Sequence, residues 1–275
     1  MKRFAAALLM LWPLIWPLIW PLAAQADPAV LELFTSQGCS ACPPADKLLE
    51  KLQQEPGVFA LSYHVTYWDR AGWVDPFGLN TATLRQYEYQ TALKLPNVFT
   101  PQLVVNGTWS IVGSNEDLIR HALEETHKKQ TFIAFSVSDK GITFPETGKD
   151  FWMTVEIIGY QARGENDVTA GENDGQHLTS TNVVRSVTEI GRWTGQAKTI
   201  SYDFGKDGLS HIVLLRDRKT KQIIGLQNVP PVAAKSSAVP APAPSSDPAP
   251  VAPAVPASTA AASENNEPLP PAQIP

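Results

Sequence analysis

The stretch Leu31-Glu32-Leu33-Phe34-Thr35-Ser36-Gln37-Gly38-Cys39-Ser40-Ala41-Cys42-Pro43-Pro44-Ala45-Asp46 changes its apolar period part-way along. Residues 29–35 form a short, mostly apolar run that ends in the turn residues Ser36, Gln37 and Gly38, as a buried strand does. Beyond the cysteines, Pro43 and Pro44 suit a first helical turn, and Ala45, Leu48, Leu49 and Leu52 recur at helical spacing. A strand therefore runs into a helix that opens at Cys39 and Cys42. These are the only two cysteines of the 275 residues, so a multi-bridge scaffold is excluded and the sulfur chemistry sits in one place.

Working outward, Pro56-Gly57 ends the helix, and 58–65 reads as a second strand. An aromatic-rich loop (66–79) follows, then a helix over 80–94 with Leu84, Tyr87 and Thr91 on one face. Thr100-Pro101 precedes a strand at 102–105, Asn106-Gly107 makes a hairpin turn, and 109–112 is its second strand. Ser114 with Asp117 reads as a capping box for a helix ending near Lys129. The order β-α-β-α-β-β-α with Cys-x-x-Cys opening the first helix is the thioredoxin arrangement, so an α/β thioredoxin-like domain is expected over 27–130. From 131 to 231 short alternating runs at 132–137, 151–160, 182–190, 198–204, 211–216 and 222–226 predict a smaller, antiparallel β-rich unit. Within it Gly164-Glu165-Asn166-Asp167 recurs as Gly171-Glu172-Asn173-Asp174, a seven-residue duplication expected in a solvated hairpin loop.

The two ends read differently. Lys2 and Arg3, an apolar run over 4–24 and the small-x-small triplet Ala24-Gln25-Ala26 predict a signal peptide over 1–26, with an uncleaved anchor as the rival. Export implies a periplasmic or secreted protein in an oxidising compartment, with no stable membrane insertion once the signal is cut. Of the 24 prolines, eleven fall in 232–275 beside 13 alanines and no aromatic residue, which predicts a disordered Pro/Ala-rich tail able to act as a spacer or to contact envelope components. Net charge is −5 with Lys and Arg scattered among acids, so nucleic-acid partners are not expected.

The chemistry follows from position. A thiol at a helix N-terminus meets unpaired N–H groups and the helix field, which favour thiolate, so Cys39 is the expected attacking group and Cys42 the resolving one. Pro101 is expected to be cis and packed on the cysteine pair, leaving Thr100 to bind an extended substrate segment. Glu32 is a candidate proton acceptor for Cys42, with a satisfied strand acid as the alternative. Asp46 is a second candidate, with dipole complementation as its alternative. His64 and Trp68, at the exit of the second strand, are expected either to line a substrate groove or to form a satellite core. No metal or cofactor is called for, since the five histidines show no paired ligand spacing.

The quoted stretch, together with His64 to Asp69, Gly72-Trp73, Asp75-Pro76-Phe77, Thr100-Pro101-Gln102, Val104-Val105-Asn106-Gly107, Gly164-Glu165-Asn166, Asn182-Val183-Val184-Arg185 and Gly191-Arg192-Trp193, resembles the secreted bacterial proteins of domain of unknown function family 1223. The resemblance implies a thioredoxin-like fold and a Gram-negative periplasm, and it supplies no reaction. Gly38 stands where thioredoxins proper carry Trp, and Ser40-Ala41 where they carry Gly-Pro, so their redox potential does not transfer. The resulting expectation is a thiol-disulfide oxidoreductase or redox partner whose clients are protein thiols or disulfides. Its alternatives are a binding module with a static 39–42 disulfide and, further off, copper or zinc handling by Cys39, Cys42 and His64.

Overall fold

The computed structural model describes residues 28–229 apart from 139 and 206; the expected signal peptide and the expected tail lie outside the described residues. The elements run β1 (Ala29–Thr35), α1 (Pro43–Leu52), β2 (Val58–His64), α2 (Asn80–Ala92), β3 (Gln102–Val105), β4 (Trp109–Val112) and α3 (Glu116–Lys129). There follow β5 (Ser136–Ser138), β6 (Gly141–Phe144), β7 (Met153–Asp167), β8 (His177–Trp193), β9 (Lys198–Ile200), β10 (Ser210–Asp217) and β11 (Ile223–Val229). Asn115, not Ser114, caps α3, its side chain accepting the Leu118 N–H at 3.1 Å.

The expected fold class does not hold. In place of an α/β thioredoxin-like domain and a separate antiparallel unit, the described residues form a mostly-β fold with three α-helices and one mixed sheet of eight strands, ordered β11-β10-β7-β8-β2-β1-β3-β4. The join is β2 against β8, parallel, at Ser62 and Val183. It is bolted by Ser62 Oγ donating to the Thr181 carbonyl at 2.8 Å and by Asn182 Nδ2 donating to the Ala60 carbonyl at 2.9 Å. A strand edge left open at β2 is thus closed by the long β7–β8 hairpin, which removes an edge that would otherwise template aggregation. A second sheet, β5-β6-β9, is hydrogen-bonded separately from the first.

Strand alternation assigns each face its helices. Leu31, Leu33, Ala60, Leu103 and Val105 pack with Ala45, Leu49 and Leu52 of α1 and Ile119 of α3. Val30, Phe34, Leu61 and Tyr63 point the other way and pack with Ala82 and Tyr89 of α2 and with Ile158, Ile212 and Leu214. Farther along the sheet Val213 and Leu215, with Val155 and Ile157, join Phe135, Phe144 and Trp193 in a third cluster, where Trp193 stacks on Phe144 and Phe151 at centroid distances of 5.3 and 5.4 Å. Gly107, at φ +73° in the β3–β4 turn, cannot carry a side chain: an added Cβ would lie 2.1 Å from the Lys221 carbonyl oxygen in the β10–β11 connection.

Candidate functional site

β1 and β2 are parallel, so their C-terminal ends, Thr35 and His64, lie side by side, and the loop leaving Thr35 carries the cysteines. Cys39 and Cys42 form a disulfide with χ3 of 86° and Cα atoms 5.4 Å apart. Cys42 is the N-cap of α1, with Pro43 in the first turn. Its carbonyl accepts the Ala45 and Asp46 N–H groups at 2.9 and 3.1 Å, while its own N–H donates to the Cys39 carbonyl at 3.1 Å. Both cysteines are buried, whereas Ser40 and Ala41 between them are exposed.

The Thr100–Pro101 peptide bond is cis, and Pro101 packs near Gly113 and Ala45. Thr100 Oγ1 lies 3.4 Å from Cys39 Sγ and accepts the indole N–H of Trp68 at 2.7 Å. Cys39, Thr100 and Trp68 are therefore one contact chain at the sulfur.

His64 is buried rather than lining an open groove. Its Nδ1 is 2.7 Å from Asp75 Oδ2, and the same oxygen accepts the Gln37 N–H at 2.8 Å. Burial works against the Asp75 charge, but His64 and the N–H groups of Gln37 and Phe77 hold its carboxyl below the usual carboxylate range. The pair braces the loop that presents Cys39.

Glu32 is not brought to the cysteines. It shares a face with Val30 and Phe34, opposite α1, where Arg85 Nε donates to its Oε1 at 2.7 Å and the Tyr89 hydroxyl donates to its Oε2. The carboxyl that does reach the site is Asp46, one helical turn inside Cys42. Thr35 Oγ1 donates to Asp46 Oδ2 at 2.9 Å, while Oδ1 is shielded from solvent with no partner among the described residues. Burial pushes the Asp46 carboxyl up to about 7, against the lowering effects of His64 and the Thr35 hydroxyl.

A pocket of about 70 Å³ lies between the start of α1 and the beginning of β8, lined by Gln37, Asp46, Lys47, His64, Thr179 and Ser180 among others. Gln37 Nε2 and His64 Nε2, like Asp46 Oδ1, are buried without a hydrogen-bond partner among the described residues. Three polar groups thus border one small space at the start of α1.

A group that sequence reasoning placed in a solvated loop also belongs here. Glu172 and Asn173, in the second copy of the duplicated tetrapeptide, bond to Ser40 and to the carbonyls of Gln37 and Cys39. The only local signal is the repeat itself.

The family model described as "Protein of unknown function (DUF1223)" matches residues 30–215. The chain belongs to this family. A crystal structure of protein AGR_C_4864 from Agrobacterium tumefaciens is similar to it at a TM-score of 0.65 and 28% identity, over 79% of this chain and 100% of that one. HBP35 of Porphyromonas gingivalis is similar at a TM-score of 0.49 and 13% identity, over 79% of this chain and 80% of its own. No curated protein matches. The described helices of this DUF1223 member include none long and apolar enough to cross a membrane.

Asp46 yields a pH-dependent prediction. A carboxyl whose pKa is raised by folding stabilises the fold below its unfolded value, 3.8, and that contribution is lost as pH rises through about 7. Above that range the charge on this half-buried carboxyl costs on the order of a few kcal/mol, since a tenfold change in proton affinity is worth about 1.4 kcal/mol. Asp46→Asn keeps an acceptor for Thr35 and removes the charge. The oxidised variant should therefore be more stable than wild type in urea denaturation near pH 8, with the difference closing near pH 4. A difference independent of pH would show that Asp46 is not held protonated.

Proposed function

We propose that this DUF1223 protein is an exported thiol-disulfide oxidoreductase, or a redox partner, whose clients are protein thiols or disulfides. The observation that carries the reading is the Cys39–Cys42 disulfide at the N-terminus of α1, with the Asp46 carboxyl one turn below it. A structural cross-link needs neither a helix start nor a carboxyl that titrates near neutrality; an exchanging one uses both.

In the direction that oxidises a client, a client thiolate attacks Cys39 Sγ. The Cys39–Cys42 bond breaks, and its electron pair leaves on Cys42 Sγ. Asp46, protonated below about pH 7, supplies the proton that makes Cys42 a neutral thiol. The client's second thiol loses its proton and attacks the mixed disulfide at the client sulfur, so the client leaves oxidised and Cys39 departs as thiolate in the loop that leads into α1. The reverse sequence reduces a client, with Asp46 taking the Cys42 proton as that thiol resolves the mixed disulfide. The pocket has room for about two water molecules, enough to connect Asp46 Oδ1 to His64 Nε2 and from there to carry protons outward. With Asp75 accepting at Nδ1, the imidazole is held with Nε2 free for that exchange.

Thr100 and Trp68 are the surface a client meets first, since Thr100 touches the attacking sulfur and Trp68 holds Thr100. Export is part of the same proposal, since an oxidising compartment returns the pair to its disulfide form between clients. The experiment that tests it is equilibration of the Cys39–Cys42 pair with glutathione: an exchanging pair titrates within the buffer's range and a static staple does not.

A further inference from the structure

The β7–β8 hairpin extends across the sheet to the cysteine loop and is bonded there through its tip. Glu172 Oε2 accepts both the Ser40 N–H, at 3.1 Å, and the Ser40 hydroxyl, at 2.6 Å. Asn173 Nδ2 donates to the carbonyls of Gln37 and Cys39 at 2.9 and 3.0 Å. From the first copy of the repeat, Asn166 Nδ2 reaches Gln37 Oε1 at 3.2 Å, so the equivalent asparagines of the two copies converge on the same loop residue. Asn173 is buried and Glu172 exposed, which makes the first an anchor and leaves the second free to carry charge.

Ser40 follows Cys39 directly, at the entrance to α1. Its N–H and O–H are hydrogen-bond donors next to the sulfur that becomes a thiolate on reduction, in the region where the helix field is most positive. In this structure those donors are already taken by a carboxylate, and the bonds from Ser40 hold the Glu172 carboxyl below its usual range, so it is the charged form that sits there.

We propose that Glu172 is a tuning residue for Cys39: by occupying the Ser40 donors with a negative charge, the hairpin tip disfavours the Cys39 thiolate and keeps the pair in its disulfide form. A client able to displace the tip gains a more reactive Cys39 than one that cannot. The inference rests on the oxidoreductase reading and adds its regulation. The balance it biases is disulfide plus two glutathione thiols giving the Cys39–Cys42 dithiol and one glutathione disulfide. Two electrons and two protons pass to the protein, the Cys39 thiol then releases its proton to solvent, and the thiolate charge so formed is what Glu172 opposes.

The test uses the full chain. Glu172→Gln keeps the shape and an acceptor for Ser40 but removes the charge, and Glu172→Ala also frees the donors. A unit charge this close at a protein surface shifts an equilibrium about three- to tenfold. Glu172→Gln should therefore raise the dithiol-to-disulfide ratio at fixed glutathione by that factor, tenfold being about 30 mV for a two-electron couple. It should also speed iodoacetamide alkylation of Cys39 in a Cys42→Ser background by a similar factor, and Glu172→Ala should do at least as much. Asp174→Asn, which removes an equal charge two residues on with no bond to Ser40, should leave both readings unchanged. No change with either Glu172 variant, or an equal change with Asp174→Asn, overturns the proposal. If wild type titrates with glutathione and Glu172→Gln matches it, the tuning role alone fails. A wild-type pair that glutathione cannot reduce sinks the oxidoreductase reading instead, while the alkylation arm still reports on Glu172.

Discussion

Cys42→Ser protein, expressed as the full-length chain and quenched with acid and alkylating agent, should accumulate covalent adducts on non-reducing gels, whereas Cys39→Ser protein should accumulate almost none. The difference is one of position. Cys39 lies in the loop before α1 next to the exposed Ser40, and its sulfur is touched by the Thr100 hydroxyl, while Cys42 is the N-cap of α1 itself. With Cys42 removed, a client captured on Cys39 cannot be released, because no second thiol is in reach. With Cys39 removed, the remaining thiol is on the N-cap residue of α1, one turn before Asp46. An excess of roughly tenfold or more in adducts for Cys42→Ser is expected, and mass spectrometry of the adducts names the clients. Equal trapping by both variants would contradict the assignment of attacking and resolving thiols. Trapping by neither would favour the static staple.

The largest effect on stability is expected at Arg85, far from the sulfurs. Arg85 Nε pairs with Glu32 at 2.7 Å and its Nη1 with Glu156 at 2.8 Å, while Arg216 Nη1 reaches Glu156 at 3.2 Å and Glu88 at 2.8 Å. Glu32, Arg85, Glu156 and Arg216 are all buried. Burial disfavours the Glu156 charge, yet Arg85 and Arg216 hold its carboxyl below the usual range, which shows how much each charge depends on its neighbours. Breaking a buried pair by removing one partner leaves an uncompensated charge and costs about 3–5 kcal/mol. Arg85→Met should lower the melting temperature on the order of 10 °C, at about 2–4 °C per kcal/mol for a fold of this size. Arg120→Met, which breaks partly exposed pairs with Glu55 and Glu116, should cost about 1 kcal/mol or less. Calorimetry on the two variants decides it, and comparable losses would mean that the buried network is not what ties α2 to β1, β7 and β10.

Particular residues show where the sequence is legible. The β1–α1 junction is readable because three local signals agree there: an apolar run, turn residues, then Pro43-Pro44 before a helical period. Of the two readings of Glu32, the satisfied strand acid is the one its bonds to Arg85 and Tyr89 fit, and its parity on the strand points away from Cys39. Residue 32 faces away from 31, 33 and 35, and it is Leu31 and Leu33 that pack on α1. Asp46 is readable as a residue one turn after Cys42, but its raised pKa depends on burial, which no spacing reveals.

The union of the two expected units into one sheet is not readable, because a single parallel bridge between Ser62 and Val183 leaves no mark on local periodicity. The same holds for Glu172 and Asn173. Composition marks them as loop residues, and only the length of β7 and β8 carries them to the cysteines, 132 and 134 positions away in the chain for their bonds to Ser40 and Cys39.

The Cys39–Cys42 bond is expected to exchange with other thiols. Its reduction potential, measured by equilibrating the full chain with glutathione or dithiothreitol buffers and counting alkylated cysteines by intact mass, tests this most directly. A value between about −120 and −270 mV, the span of disulfide oxidoreductases, is predicted. A value below about −300 mV, where structural disulfides lie, would contradict it.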